Sequence, residues 1–570
     1  MTIHETRLLK DVQVDPALPL FADTETIGLY GQVRLLQLYQ ETWDKVILVD
    51  TPNILEMMLF IDKHNSVWHN AHYDLTTVQQ QSGITWCPKN FEDTFLASRL
   101  AQPQFLEYSL DAVMARCIGH DPYAKAGLDK KKLQKSDWSK LVLTDDQLLY
   151  AAIDVYYMPQ VWDEVCSAIT TPSYKLDKLT VRHCLSFQWN GSPVDSKRLF
   201  KKYRETEADL AKISMPINAN SWQQVRAWLG VDKSDKQFLS ELELRDGNER
   251  AGNVLKVRKL RKLISFMDKY DKERVIGKFK PSTRSGRLSS DDENKQQIPR
   301  ALKEVFGYPE DSNRVLIYSD YAQLELRTIC AILGVSMMEK LFRAGEDLHG
   351  FVAQMLFGDS WTKKDRQVTK TYNFNLLYGG SVGMVCSILI TYGLWVEQRA
   401  ANKHKRKWLN LFPEIDKWQQ ESTSAFYKGK MNSTPFGRQY KAKLMTDFMN
   451  IQNQGAGAEV AKLALHYFTP RLAEYNKSFD ADDAVLCNFI HDSFIIDAPD
   501  EPKIYKDISL MLAECMQEAW FEMSKLYKIK DLPMPVDVKV GKNWGDLEED
   551  VNVIYDFTLE PYKMLEKTNG

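Results

Sequence analysis

The chain's eight cysteines (Cys87, Cys117, Cys166, Cys184, Cys330, Cys386, Cys487 and Cys515) are scattered among 570 residues with no Cys-x-x-Cys pair. That argues against a zinc site or a disulfide scaffold and suits a reducing compartment. No apolar run approaches the roughly 20 residues of a membrane span. Met1 leads directly into polar sequence, without an apolar signal core or an arginine-rich transit pattern. The expectation is a soluble protein with no membrane partner, cytoplasmic, or in the host cytoplasm if viral. Net charge is also small, at -3. It neither demands nor excludes nucleic acid, because a large enzyme can concentrate Lys and Arg in one cleft.

What is present is ordinary for a globular protein: 44% hydrophobic and 26% charged residues. The length allows three or four modules, each with its own core. Fourteen Trp and 25 each of Tyr and Phe leave aromatic surface for stacking on bases, although most such residues are core.

Near the N-terminus, Leu18-Pro-Leu-Phe-Ala-Asp-Thr-Glu-Thr reads as a strand followed by Asp23 and Glu25. Residues two apart on extended chain project from one side. Two acids side by side repel unless a cation lies between them. Arg34 to Tyr39 and Lys45 to Asp50 read as further strands. Val67-Trp-His-Asn-Ala-His-Tyr-Asp74 runs from a strand into a helix. Leu143 to Asp154 reads as a helix with Tyr150 and Asp154 four apart on one face. Four carboxylates and a phenol able to converge suit two metal ions that activate a water for phosphodiester hydrolysis.

Beyond Thr170-Thr-Pro the pattern turns to long helices. Asn253 to Lys280 interleaves Leu255, Leu260, Leu263, Ile264 and Met267 with Lys256, Lys259, Lys262, Lys269 and Lys272. Such a face is usually just solvated, but it also fits a helix laid along a phosphate backbone. Thr283-Arg-Ser-Gly-Arg-Leu-Ser-Ser290 and Asn294-x-Gln-Gln-Ile-Pro-Arg300 lack apolar periodicity and suit contacts to phosphates and groove edges.

Arg314 to Arg327 opens as a buried strand (Val315, Leu316, Ile317), places Asp320 at its end, and continues through Gln323, Glu325 and Arg327 as a helix start. A second carboxylate arrives at Leu486-Cys-Asn-Phe-Ile-His-Asp-Ser-Phe-Ile-Ile-Asp497, a hairpin presenting Asp492 at its tip. Between them, Arg366, Lys370, Phe374 and Tyr378 recur every four residues on a helix that stops at Gly379-Gly380. Arg366 and Lys370 lie about 6 Å apart along the axis, a spacing that suits neighbouring phosphates of a triphosphate. Core stripes do not normally carry Arg and Lys.

Asp23-Thr-Glu25, Asn70-x-x-x-Asp74 and Tyr150-x-x-x-Asp154 resemble the three motifs of the tyrosine-bearing DEDD 3′–5′ exonucleases. The remaining segments resemble family A (DNA polymerase I-like) DNA polymerases. Asp320-Tyr-Ala-Gln-Leu-Glu-Leu-Arg327 matches motif A, Arg366 to Gly380 motif B, and His491-Asp492 motif C. The resemblance implies an α/β (α+β) chain with an RNase H-like exonuclease domain followed by a right-hand polymerase domain of thumb, palm and fingers. The corresponding boundaries are 1–170 exonuclease, 171–300 connector and thumb, 301–335 palm, 336–440 fingers, and 441–570 palm and tail.

The resemblance also implies roles. Asp320 and Asp492, with the backbone of Tyr321, would hold two Mg²⁺ at the polymerase site. Asp23, Glu25, Asp74 and Asp154 would hold two at the exonuclease site, with Tyr150 orienting the attacking water; Mn²⁺ can substitute. Arg366, Lys370, Phe374, Tyr378, Gln323, Tyr321 and His349 would surround the dNTP, with Glu325 and Tyr378 blocking a ribose 2′-hydroxyl. Arg287, Asn294, Gln296, Asn450, Gln454 and His491 would contact primer-template DNA. The partners are therefore DNA and dNTPs, with a monomer expected and any replisome or processivity partner not identifiable.

Two departures from the family stand out. Ser493 replaces the usual glutamate of motif C, and no room remains upstream of Asp23 for a 5′-nuclease domain, a compact make-up associated with bacteriophage replication enzymes. A rival from another class, a 3′–5′ exonuclease whose polymerase half is a non-catalytic DNA-binding scaffold, has Ser493 as its only support. An RNA-synthesising relative is disfavoured by the bulk of Glu325. The tail from Val551 to Gly570, with Ile554, Phe557, Leu559 and Tyr562, reads as a strap packed on the palm in preference to a segment that docks a partner.

Overall fold

The computed structural model describes residues 1–478 and 483–560, so Tyr562 of the expected strap lies outside the described residues. The chain forms two units. One comprises Met1–Trp189, Phe279–Ser289 and Phe436–Lys441; the other comprises Asn190–Lys278, Ser290–Pro435 and Ala442 onward.

The first unit is built on a six-stranded mixed sheet of β1 (Thr2–Thr6), β2 (Leu20–Ile27), β3 (Gln32–Tyr39), β4 (Lys45–Asp50), β5 (Ser66–Trp68) and β6 (Phe91–Asp93). Their spatial order is β1-β4-β3-β2-β5-β6. Val33, Leu35, Leu36 and Leu38 of β3 and Val46 to Val49 of β4 are all buried. Such near-continuous apolar runs are what strands covered on both faces require. Asp23 and Glu25 lie within β2 rather than after it, and the β2–β3 register shifts between Glu25 and Thr26. A bulge there bends the strand and re-aims the side chains beside it.

Helix α1 (Ala71–Ser82) follows β5, and its entry is fixed by Asp93, whose carboxylate accepts from the backbone N–H of Asn70 and of Ala71, each at 3.0 Å. Helix α2 (Asp145–Tyr156) begins at a reciprocal Thr144–Gln147 capping box, which satisfies two otherwise orphaned donors and sets the helix phase. Tyr150 and Asp154, both buried, therefore share its inner face. Two segments from far along the chain are tied into this unit. Arg99 donates to the carbonyls of Pro281 and Thr283, and the buried Arg438 pairs with the buried Asp177.

In the second unit a five-stranded antiparallel sheet contains β7 (Arg314–Tyr321), β8 (Val485–Ile490), β9 (Ser493–Pro499), β10 (Val536–Gly541) and β11 (Tyr555–Leu559), ordered β8-β9-β7-β10-β11. The central strand β7 carries Asp320 next to its last residue. The expected strap is, as far as Leu559, the edge strand of this sheet.

Helix α3 (Glu249–Tyr270) ends ten residues earlier than the basic stretch suggested. Buried Val254, Val257, Leu260, Leu263, Met267 and Tyr270 keep helical spacing. The next positions on that face are Glu273 and Arg274, and the chain turns to short strands at Arg274–Val275 and Lys278–Lys280. The lysines at 256, 259, 262 and 269 are exposed, as both a solvated face and a helix along a phosphate backbone require.

Around the sheet lie α4 (Leu324–Leu333), α5 (Leu348–Phe357), α6 (Lys363–Leu377), α7 (Met445–Asn476) and α8 (Pro502–Ser524). Helix α6 stops where predicted, with Gly379 at φ +72°, a left-handed conformation that glycine adopts without a Cβ penalty. A Cβ there would stand in ordinary contact with Met445 and Met449 of α7, at 3.4–3.6 Å.

Candidate active sites

In the first unit, Asp23 and Glu25 from β2 and Asp154 from α2 bring one oxygen each within 4.8 Å of the others. Asp74, in the first turn of α1, accepts hydrogen bonds from the Thr24 hydroxyl at 2.6 Å and the Thr24 N–H at 3.1 Å, which anchors it beside the group. Burial, then mutual repulsion, pushes the Asp23 and Glu25 carboxyls well above the usual carboxylate range. Burial raises Asp74 and Asp154 to about 7 despite the hydrogen bonds they accept. Acids so placed are unstable as bare anions and chemically matched to hard divalent cations.

The four acids and Tyr150 line a cavity of about 650 Å³. Three of its features were not legible in the motifs. The Tyr123 hydroxyl donates to Asp154. Lys130, paired with Asp111 at 2.6 Å, adds a cation to the wall. Lys280 and Ser282 line it as well, so part of the stretch expected to contact the primer at a polymerase site belongs to this unit, as does Arg287.

The second unit holds the other pair of aspartates. Asp320 near the end of β7 and Asp492 in the β8–β9 turn are close enough that, after burial, the charge of Asp492 is the main cause raising the Asp320 carboxyl. His491, at φ +59°, forms the tight turn with Asp492. Asp320 Oδ1 is buried without a hydrogen-bond partner, and so are Gln323 Oε1 and Asn450 Oδ1. Buried acceptors left open are costly; a divalent cation is the kind of ligand that would satisfy Asp320, and N–H or O–H donors would satisfy the two amide oxygens. Asp537 stands directly across the ladder from Asp320 and adds to its repulsion. Ser493 is buried with its hydroxyl donating to the Ile490 carbonyl at 3.1 Å, so it serves the turn itself. Tyr321 points its hydroxyl at the Met516 carbonyl, which leaves only its backbone for a metal.

The four-residue stripe is on α6 and its C-cap. Arg366 donates two hydrogen bonds to Asp347, at 2.7 and 3.1 Å, while Lys370 is exposed. Phe374 lies 5.8 Å from the His349 ring. His349 is buried, which lowers its pKa to about 4 and keeps it neutral; Asn373 donates to its Nδ1 at 2.8 Å, leaving the proton on Nε2. The Tyr378 hydroxyl donates to Glu325 at 2.9 Å.

Two positions expected at DNA also have partners within this unit. Asn294 caps a turn through the Gln296 N–H, and the Gln296 amide donates to the Phe489 carbonyl. Gln454 is half-exposed on α7, one turn beyond Asn450.

Residues 195–546 match the model of DNA polymerase family A. The chain belongs to DNA polymerase family A. Residues 6–169 match a 3′–5′ exonuclease family, so this polymerase carries an exonuclease domain containing the first acidic site.

Among curated relatives, DNA polymerase I of Aquifex aeolicus (strain VF5) is 26% identical, over 92% of this chain and 95% of the relative. A thermostable DNA polymerase I of Thermus filiformis is 25% identical, over 62% of this chain but 45% of the relative. The DNA polymerase of Bacillus phage SP01 is 24% identical, over 47% and 31%. The chain thus spans nearly all of the Aquifex protein and under half of the other two. A structure of the POL domain of Pol1 from M. smegmatis, in complex with a DNA primer-template and dNTP, has the same fold: TM-score 0.74 at 17% identity, covering 93% of this chain and 96% of that one.

Proposed function

We propose that the polymerase extends a primer 3′ end on a DNA template with dNTPs through Mg²⁺ ions held by Asp320, Asp492 and the Tyr321 backbone, and proofreads at Asp23, Glu25, Asp74 and Asp154. The observation that carries this is the pairing of two carboxylate centres, half-buried to buried and one in each unit, with a cationic helix stripe belonging to the Asp320 unit. Divalent cations at Asp320 and Asp492 would lower the pKa of the primer hydroxyl and stabilise charge on the departing pyrophosphate. Arg366, Lys370 and the Nε2–H of His349 bind the triphosphate. Phe374 and Tyr378 flank sugar and base, while Glu325, held by Tyr378, excludes a 2′-hydroxyl. Asn450, Gln454 and His491 contact the new pair, the template and the primer end.

At the exonuclease centre, Asp154 and Glu25 share the metal-facing position, Tyr123 steadies Asp154, and Tyr150 orients the water. Two Mg²⁺ per centre fit the acid sets, with Mn²⁺ as a substitute. The thumb, palm and fingers correspond to α3 and its neighbours, the β7–β11 sheet, and the α5–α6 region. The scaffold rival loses its support because Ser493 acts within the turn while Asp320 keeps an open buried oxygen.

The test is primer extension with wild type and Asp320→Ala. Loss of extension, with degradation of single-stranded DNA retained, is expected; extension at the wild-type rate would overturn the assignment.

A further inference from the structure

The residue that holds the sugar gate from behind is Asn453. It lies on α7, fully buried. Its side-chain Nδ2 donates to the Tyr378 hydroxyl at 2.8 Å, and that hydroxyl donates to Glu325 Oε2 at 2.9 Å. A phenol has a single proton to give. With the Asn453 amide donating to its oxygen, the Tyr378 proton is directed at Glu325, and the three side chains form one polar chain with a fixed direction. A flipped amide would make Asn453 a second acceptor competing with Glu325 for that proton, so the donating orientation satisfies Tyr378 and Glu325 while leaving Asn453 Oδ1 buried without a hydrogen-bond partner.

The fold supplies the contact. Gly457, one turn beyond Asn453, faces Leu324 of α4, which lies 3.5 Å from where a Cβ would stand, an ordinary van der Waals contact. Glu325 is the next residue on α4. Gly379, just past Tyr378, packs on Met449 of the same α7 face. Tyr378 and Glu325 thus sit on two elements that α7 braces together, and Asn453 is the polar group α7 offers at that junction.

We infer that Asn453 is a positioning residue for sugar discrimination: by donating to Tyr378 it holds the Tyr378–Glu325 pair in the conformation that excludes a 2′-hydroxyl. This rests on the proposed gate role of Glu325. Without the amide donor, the phenol is free to turn from Glu325, and Glu325 is free to leave the space that a ribose hydroxyl needs.

The experiment measures kcat/KM for dATP and for ATP in single-nucleotide primer extension, and takes their ratio. Asn453→Leu keeps the branched outline and removes the donor; Asn453→Asp keeps the shape and, in its ionised form, supplies only acceptors. Both are expected to lower the ratio about tenfold, the size of one lost hydrogen bond to a positioned group. Most of the change should lie in the KM for ATP. In a Tyr378→Phe background, Asn453→Leu should change the ratio no further, because its acceptor is gone.

A packing defect would slow both nucleotides alike and leave the ratio unmoved. If Glu325→Ala relaxes the ratio while neither Asn453 variant does, the inference about Asn453 is overturned alone. An equal fall for Asn453→Leu with and without the Tyr378 hydroxyl would overturn it too. If Glu325→Ala leaves the ratio unchanged, the gate reading fails and Asn453 falls with it.

Discussion

Asp347 and Arg366 form a two-point ion pair across the start of α5 and the first turns of α6, with N–O distances of 2.7 and 3.1 Å. The same carboxylate caps α5 by accepting from the N–H groups of His349 and Gly350 at 3.2 and 3.0 Å. One aspartate therefore sets both the guanidinium and the histidine proposed to meet the triphosphate.

Replacing it has two consequences. Asp347→Ala is expected to raise KM for dNTPs about tenfold, with a smaller change in kcat, through loss of a charge-assisted pair. It should also cost about 1 kcal/mol of stability as a lost helix cap. Arg366→Lys should not restore a wild-type KM, because an ammonium cannot reproduce the bidentate geometry. Steady-state kinetics and denaturant unfolding check both points; an unchanged KM in Asp347→Ala would refute the coupling.

The exonuclease acids predict how stability depends on pH. Asp74 and Asp154 are raised to about 7 in the folded chain, against about 4 when unfolded. Between those values the folded state holds more protons than the unfolded one, so metal-free stability falls as pH rises from about 4 through 7. The first unfolding transition of metal-free protein should come at lower temperature at pH 8 than at pH 5. Added Mg²⁺ or Mn²⁺ should raise it more at pH 8. Asp154→Asn should stabilise the metal-free protein at pH 8 by roughly 2–4 °C for each kcal/mol of repulsion relieved. Calorimetry at the two pH values decides; a metal-free transition that rises with pH would refute the reading.

Tyr123 gives a third prediction. Its hydroxyl bond to Asp154 favours the carboxylate form. Tyr123→Phe should move the acid limb of the exonuclease pH–rate profile to higher pH and lower the rate by about tenfold near neutrality. Extension of a primer by the other centre should keep its pH profile. An exonuclease acid limb that stays in place would show that Tyr123 does not act on Asp154.

Much of this was legible in the sequence because local rules sufficed. Period-two spacing put Asp23 and Glu25 on one side of a strand, and α2 begins and carries Tyr150 and Asp154 where helical spacing placed them. The His491-Asp492 turn between apolar runs gave the hairpin, and the four-residue recurrence gave the α6 stripe with its glycine stop.

The sequence left out what depends on long-range pairing. Asp537 faces Asp320 because of the β7–β10 register, which no short window encodes. Tyr123, Asp347 and Asn453 are ordinary residues in their own segments, and each matters through a partner 19 to 75 residues away. Lys280, Ser282 and Arg287 joined the first unit for the same reason, since Arg99 binds their segment across a sequence separation of 182 or more. The end of α3 at Tyr270 was marked locally, by the loss of apolar spacing after it, but the run of lysines hid it.

The most direct measurement crosses the two centres. Asp492→Asn and Asp154→Asn, each a near-isosteric loss of one carboxylate, are assayed side by side for primer extension and for removal of a mismatched 3′ nucleotide. Two separate centres predict that Asp492→Asn loses extension by about a thousandfold or more while still trimming the primer, and that Asp154→Asn does the reverse. Extension by Asp492→Asn at the wild-type rate, or both activities falling together in both variants, would contradict it.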